Sequence, residues 1–163
     1  MLVKQILNSK PINGVETISP GTTVAQAAEM LSTKRIGALV VSEDGETLGG
    51  ILSERDVVRE LGRRGAACLS ETVDGIMTSR ITTCTEDETA DSVLAKMTDG
   101  RFRHMPETAD SVLAKMTDRR FRHMPVLDGS KMVGLISIGD VVKARLSELA
   151  MERDALEGMV MGH

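Results

Sequence analysis

The sequence has 163 residues, of which 41% are hydrophobic and 27% are charged, and its formal net charge is −4. This composition is typical of a folded globular protein, and the excess of acidic residues excludes an overall positive field that would attract nucleic acid or an anionic membrane. The chain also has no Trp, no Tyr and only two Phe, so it lacks the aromatic surfaces on which single-stranded nucleic acids stack.

The first part of the chain predicts one small β-α-β-β-α unit. Short apolar runs bounded by turn residues predict strands, and apolar residues at near-helical spacing predict an amphipathic helix. The predicted elements, in chain order, are a lead-in helix, a strand, an amphipathic helix, two strands joined by a turn and a final helix, at residues 3–7, 16–18, 24–31, 38–41, 48–52 and from Ser53 onward.

The second part of the chain repeats this order in a weaker form. Its lead-in helix, three strands and final helix are predicted at residues 73–77, 82–84, 124–127, 132–136 and from Ser137 onward. We therefore predict an α/β (α+β) fold with two modules. Residues 1–67 form the first module with its lead-in helix, and residues 68–163 form the second with a C-terminal helix.

A second, shorter repeat lies inside the second module. Residues 88–106 and 107–125 have the same sequence except for Gly100 in the first copy and Arg119 in the second. The two modules have diverged at most positions, whereas these two segments have not. We interpret the repeat as a recent or engineered duplication of 19 residues, one copy of which is surplus to the fold.

Two positions are open for the amphipathic helix of the second module. It can come from residues 88–99, where Gly100 suits the left-handed conformation that ends many helices, or from residues 107–118. Both choices bury the same side chains, and a longer loop costs only about 1 kcal/mol. We favour the first copy for the helix, while residues 120–125 of the second copy lead directly into the strand at Val126.

The same motif, G-h-h-S-x-x-D, ends both modules, at 50–56 and 134–140. Ser-x-x-Asp is a variant of the capping box, in which the serine caps the helix and the aspartate lies in its first turn. The same arrangement also suits a ligand, because free N–H groups at a helix start attract anions and a carboxylate can bind two ribose hydroxyls. Capping and ligand binding are compatible roles for these residues.

In this order of motifs the sequence resembles a tandem CBS-domain (cystathionine-β-synthase domain pair) protein. The likeness rests on the two β-α-β-β-α units, an Ile-Met-Thr lead-in at 76–78, the strands at 37–41 and 123–128, and both motif endings. It implies two modules packed about a pseudo-twofold axis, with two clefts that hold AMP, ADP or ATP, and less often S-adenosylmethionine or a dinucleotide. The nucleotide is a ligand, and no cofactor is required.

The resemblance also assigns roles to residues of this chain. Asp56 and Asp140 are expected to bind ribose hydroxyls, and Ser53 and Ser137 the ribose or the phosphate. Backbone and aliphatic groups near four further residues are expected to enclose the adenine: Ile18, Ala38, Thr83 and Met124.

Basic residues crowd the strand entrance of the second module, where the family places phosphate contacts. They are Arg119, Arg120, Arg122 and His123, and the matching residues of the first module are Lys34 and Arg35. Arginine can form bidentate contacts with phosphate. The alternative is that these arginines have no ligand and only form a solvent-exposed face of the strand. Because Gly37 and Ala38 stand where the second module has Arg122 and His123, we expect the two clefts to differ.

Other classes of function find little support. No GxSxG, P-loop or GxGxxG motif and no Cys/His nucleophile pair occurs, and the three His are two repeat copies and the terminal His163, which make a poor zinc set.

Cys68 and Cys84 lie far apart, which favours buried thiols in a reducing compartment. No signal peptide or membrane span is evident, so we predict a cytoplasmic protein that is not an enzyme.

The sequence therefore predicts a regulatory adenine-nucleotide sensor. We expect a homodimer whose last helix packs against a partner copy, and whose ligand sets the angle between the modules and so the activity of a regulated partner protein. Two alternatives stay open: a ligand-independent dimerisation module, and an engineered scaffold that tests a duplicated helix.

Overall fold

The computed structural model describes residues 1–11, 14–98 and 122–162, and the chain divides into two compact units. We call them the Asp140 unit, which comprises Met1–Asn13, Thr82–Val126 and Leu135–His163, and the Asp56 unit, which comprises Gly14–Ile81 and Leu127–Gly134. Both contain helix and strand, which confirms the predicted α/β (α+β) class.

The elements follow the predicted order closely. In chain order they are α1 (Val3–Asn8), β1 (Thr17–Ile18), α2 (Val24–Lys34), β2 (Ala38–Val41), β3 (Gly50–Ser53), α3 (Glu54–Arg64), two 3-10 turns (Gly65–Ser70 and Val73–Gly75), α4 (Ala90–Met97), β4 (His123–Asp128), β5 (Lys131–Ser137) and α5 (Ile138–Met161). The stretch 61–67, whose Gly, Arg and Ala residues predict a connector between the modules, is helical as far as Arg64 and continues as the first 3-10 turn.

A three-stranded sheet forms the centre of the Asp56 unit. β1 lies parallel to β2, and β2 pairs antiparallel with β3 so that Ala38 lies opposite Ser53. All four residues of β2 are buried, as expected for a continuous apolar run at the centre of a sheet. The register brings the end of β3, where α3 begins, beside the start of β2.

The lead-in segment at 73–77 belongs to the core of the Asp56 unit. Val73 and Ile76 are buried in one cluster with residues of α2, β2 and β3. Backbone hydrogen bonds attach the segment to the start of α2: the Val73 N–H donates to the Thr22 carbonyl at 2.8 Å, and the Val24 N–H donates to the Glu71 carbonyl at 2.8 Å.

The lead-in helix α1 belongs to the core of the Asp140 unit. Val3 and Ile6 are buried with Val93 of α4 and Val141 of α5, and the Val3 N–H donates to the Glu88 carbonyl at 2.9 Å. Each compact unit thus takes its lead-in segment from the other half of the sequence. The module boundary between residues 67 and 68 stays a prediction, and the compact units draw on both sides of it.

The first copy of the repeat supplies α4, the alternative that the sequence favours. Ala90, Val93 and Met97 are buried in the core of the Asp140 unit. Lys96 Nζ donates to Glu88 Oε1 at 2.7 Å and to the Thr83 carbonyl at 3.2 Å. Residues 107–118, the alternative source of this helix, lie outside the described residues, as do Gly100, Arg119 and Arg120.

The strand predicted at 82–84 is wrong in length. Only an isolated parallel bridge joins Cys84 to Val126, with the Cys84 N–H donating to the Pro125 carbonyl at 3.0 Å. The Thr83 carbonyl accepts from Lys96 Nζ, so a side chain takes the place of a ladder partner. Cys84 and Cys68 are buried free cysteines, as predicted.

Helix α5 is longer than the rest of its unit requires. Its first turns pack on the core through Val141 and Ala144, whereas every described residue from Leu149 onward is exposed. Among the helices in the described part of the chain, none has the length and apolar character that crossing a bilayer needs.

The glycine that opens the first motif has a steric reason that can be tested. A Cβ on Gly50 would lie 2.3 Å from Met77 Sδ and 2.9 Å from its Cγ. We expect Gly50→Ala to lower the free energy of unfolding by about 1–3 kcal/mol through overpacking. The double variant Gly50→Ala/Met77→Ala removes the clash, so in urea titrations it should lose less than the two single changes added together. Simple additivity of the two losses would contradict this steric account.

Candidate functional site

The first candidate site is the turn from β3 into α3. Ser53 Oγ accepts from the Asp56 N–H at 3.3 Å, and Asp56 Oδ2 accepts from the Ser53 N–H at 2.8 Å and from the Ser53 hydroxyl at 3.0 Å. This reciprocal pair is a complete capping box, as the sequence predicts. Asp56 is buried, and its second oxygen accepts from Arg59 Nη2 at 2.7 Å.

The second candidate site repeats this geometry where β5 turns into α5. Asp140 Oδ2 accepts from the Ser137 N–H at 2.8 Å, and Ser137 Oγ accepts from the Asp140 N–H at 3.1 Å. A cation is again present, but it comes from the start of the chain: Lys10 Nζ donates to Asp140 Oδ2 at 2.9 Å and to the Leu135 carbonyl at 3.0 Å. The Asp140 side chain keeps 25% of its surface exposed.

The environment of Asp140 keeps its carboxyl ionised. Burial raises the pKa of Asp140, but hydrogen bonds from Ser137 and from the Lys10 ammonium outweigh it and hold this pKa below its ordinary value. A carboxylate that stays negative at neutral pH is a strong acceptor for hydroxyl groups.

A further backbone contact confirms that the two helix starts correspond. The Glu54 N–H donates to the Gly37 carbonyl at 3.0 Å in one unit, and the Ile138 N–H donates to the Arg122 carbonyl at 2.8 Å in the other. Gly37 and Arg122 are therefore matching residues, as the sequence alignment of the two halves indicates. The backbone of Arg122 lies beside the Ser137 helix start, and that of Gly37 lies beside the Ser53 helix start.

The other predicted site residues differ in how much side chain they expose. Ile18, Ala38 and Met124 are buried, so their contribution to an adenine site would come mainly through backbone groups. Arg35 is exposed and ends α2 in the left-handed conformation, with φ of 53°. Arg122 is exposed, whereas Thr83 and His123 are partly buried; Arg120 lies outside the described residues.

Sequence reasoning missed the two cations that pair with the aspartates. Arg59 lies three residues after Asp56 on the same helix, so helical spacing could have found it. Lys10 lies 130 residues before Asp140, and no local pattern marks it.

Cys84 lies a few residues before α4 in the Asp140 unit, but its thiol is not suited to nucleophilic chemistry. Burial first, and the Glu88 carboxylate second, raise the pKa of its thiol to about 11, so the reactive thiolate is scarce at neutral pH. Within the described residues, no group of three or more His, Cys, Asp or Glu side chains is placed to hold a metal ion.

Comparison with known proteins gives a consistent picture. The family model described as "CBS domain" matches residues 3–63 and 107–147. The second match runs through the second copy of the repeat, which differs from the first at one position, whereas the structure takes α4 from the first copy. The chain is 34% identical over 144 residues to the CBS domain-containing protein CBSX3, mitochondrial, of Arabidopsis thaliana, and the match covers 86% of this chain but 61% of that protein.

Solved structures of CBS-domain proteins share the fold. A CBS-domain-containing protein from Agrobacterium tumefaciens is 35% identical, with a TM-score of 0.73 over 89% of this chain and 99% of that one. The CBS domain pair of the protein MJ0100, solved with 5-methylthioadenosine and S-adenosyl-L-methionine, is 25% identical, with a TM-score of 0.66 over 91% of this chain and 98% of that one. CBSX2 of Arabidopsis thaliana, solved with AMP, is 24% identical with a TM-score of 0.60, which supports the fold alone.

The low pKa of Asp140 makes its contribution to stability dependent on pH. Because the folded state favours the ionised carboxyl, the stabilisation is complete above the unfolded pKa of about 3.9 and is lost as the pH falls through the lower folded pKa. We expect Asp140→Asn to lower the urea midpoint at pH 7 and to approach the wild type below about pH 4. Glu29→Gln, at an exposed position of α2, is the control and should match the wild type throughout. A gap between Asp140→Asn and wild type that stays constant from pH 7 to 2 would contradict the ionic role.

Proposed function

This chain belongs to the CBS-domain family, and we propose that it is a regulatory module that binds an adenosyl ligand, with AMP, ADP and ATP as the first candidates. We further propose that it is a cytoplasmic homodimer, that it catalyses no reaction and that its ligand alters the activity of a partner protein. The chain spans only 61% of the length of its mitochondrial Arabidopsis relative, so we do not assign the activity of that whole protein to this chain.

The repeated capping box is the observation that carries this proposal. Each unit fixes a carboxylate and a serine at a strand-to-helix turn, with the N–H groups of the first helical turn beside them. A ribose has two neighbouring hydroxyls that can donate hydrogen bonds to an ionised carboxylate. A phosphate can accept hydrogen bonds from the N–H groups at a helix start. The methylthioadenosine and S-adenosylmethionine of the MJ0100 domain pair share this ribose and adenine.

The Asp140 helix start is the favoured site. Its carboxylate is partly exposed, whereas that of Asp56 is buried and paired with Arg59. Arg122 lies beside it, exposed and suited to phosphate, while the matching residue of the other unit is Gly37. We propose that Lys10, which donates to Asp140, turns toward the phosphate when a nucleotide binds. Arg120 and His123 are further candidates for phosphate contact.

Ligand titration tests the proposal directly. We expect the melting temperature of the protein to rise with AMP, ADP or ATP, because a ligand at 100 times its Kd adds about 2.7 kcal/mol to the free energy of unfolding. S-adenosylmethionine and 5-methylthioadenosine belong in the same series. GTP is the matched control for phosphate charge without adenine. A flat melting temperature with every adenosyl compound would favour the ligand-independent dimerisation module.

Variants of the two aspartates separate the two candidate sites. Alanine at either position would remove the cap as well as the ligand group, so asparagine is the better replacement because it keeps a hydrogen-bond acceptor. We expect Asp140→Asn to weaken ligand binding in calorimetry by about 1–3 kcal/mol through the loss of charge-assisted bonds, and Asp56→Asn to have a smaller effect.

Asp91→Asn is the matched control, since Asp91 also lies in the first turn of a helix and forms an ion pair, with Arg145 at 2.7 Å, but lies in no Ser-x-x-Asp motif. Its Kd should equal that of the wild type. If Asp56→Asn proved the weaker binder, the main site would move to the other unit.

A further inference from the structure

The exposed part of α5 carries an apolar stripe with a regular spacing. Six residues of α5, five of them apolar and one an arginine, follow one another at alternating intervals of four and three, and we call them the C-terminal stripe: Val142, Leu146, Leu149, Arg153, Leu156 and Val160. These intervals are those of the a and d positions of a coiled coil. Leu146, Leu149, Leu156 and Val160 expose 63%, 49%, 63% and 80% of their surface.

This stripe is not the face by which α5 packs on its own unit. The buried residues of α5 are Val141 and Ala144, with Arg145 and Glu148 partly buried beside them. Since each residue turns the helix by about 100°, the centre of the C-terminal stripe lies about a quarter turn from that buried face. The helix can therefore keep its packing on the unit and offer the stripe to another molecule.

We infer that the C-terminal stripe packs against the same stripe of a second copy of this chain, with the two helices antiparallel. The inference rests on the proposed homodimer and adds its surface and its orientation. Over the 19 residues from 142 to 160 the two helices would run side by side for about 27 Å. Self-association of one stripe is an isologous contact, which closes at a dimer.

Charge argues against a parallel arrangement. In a parallel pair in register, the two Arg153 side chains would meet in one layer of the seam. Glu152, at a g position, would face Glu157, at the following e position, of the second copy. Both contacts bring like charges together, and both occur in the interior or at the edge of the interface.

An antiparallel arrangement removes the Arg153–Arg153 and Glu152–Glu157 contacts, and the one like-charge contact it leaves is between the two Glu152 side chains, which face each other from g positions at the centre of the pair. The layers then pair Val142 with Val160 and Leu146 with Leu156 of the second copy, and Arg153 lies against Leu149, where its alkyl part can pack while its charged end reaches solvent. Lys143 and Glu157, both exposed and both at e positions, come opposite each other twice. A single polar residue in a seam is known to select one register.

Sedimentation equilibrium of the full chain tests the surface. We expect the wild type to be a dimer and Leu156→Glu to raise the dimer dissociation constant at least tenfold. Met151→Glu is the matched control, because Met151 is also an exposed apolar residue of α5, 57% exposed, but lies on the side of the helix opposite the stripe; it should stay dimeric. A dimer that Leu156→Glu leaves unchanged would overturn the surface, and a monomeric wild type would overturn the homodimer itself. The melting shift with adenosyl compounds is an independent readout, so ligand binding can stand when either result fails.

Charge exchange tests the orientation. Lys143→Glu and Glu157→Lys should each weaken the dimer severalfold, because each places like charges opposite each other twice, and the double variant should recover the wild-type dissociation constant. In a parallel pair residues 143 and 157 of the two copies are about 21 Å apart, so the double variant would show no recovery. Lack of recovery would therefore overturn the antiparallel arrangement.

Discussion

The reciprocal hydrogen bonds between serine and aspartate at the starts of α3 and α5 are the interaction on which this structure depends. They satisfy backbone N–H groups that a helix start otherwise leaves without partners, and they fix the angle at which each strand turns into its helix. The backbone hydrogen bonds from Glu54 to Gly37 and from Ile138 to Arg122, the residues just before β2 and β4, complete the same turn in both units. The groups that close the fold are thus the groups that we propose bind the ligand.

The two turns differ in where their compensating charge comes from. Arg59 lies on the same helix as Asp56 and is present whenever α3 forms. Lys10 follows α1 and reaches Asp140 only when the N-terminal segment is docked on the Asp140 unit. A ligand that draws Lys10 away from Asp140 would therefore also act on the segment that supplies the lead-in helix, whereas the Asp56 turn has no such link to a distant part of the chain.

The sequence predicts those features that are local. Strand and helix order, the buried run at Ala38–Val41 and both capping boxes follow from spacing and from turn chemistry within a few residues. The docking of α1 with residues 82–98, the short bridge at Cys84 and the approach of Lys10 to Asp140 depend on contacts between distant segments, for which no periodic pattern exists. Ile18 and Met124 are buried in the core, and the likeness to a family, which predicts that groups near them enclose the adenine, does not predict how much of each side chain is exposed.

Helix α5 joins the two proposals physically. It begins at the Ser137–Asp140 turn, packs through Val141 and Ala144, and continues without interruption to the C-terminal stripe. A helix of 24 residues is about 36 Å long and moves as a nearly rigid rod. A small rotation at its capped start becomes a displacement of several ångströms at Val160. A ligand that shifts the cap would therefore change the contact between the C-terminal stripes of two copies. The affinity between the copies would then depend on the ligand. Linkage makes this dependence reciprocal: if the ligand tightens the dimer, the dimer must bind the ligand more tightly by the same factor.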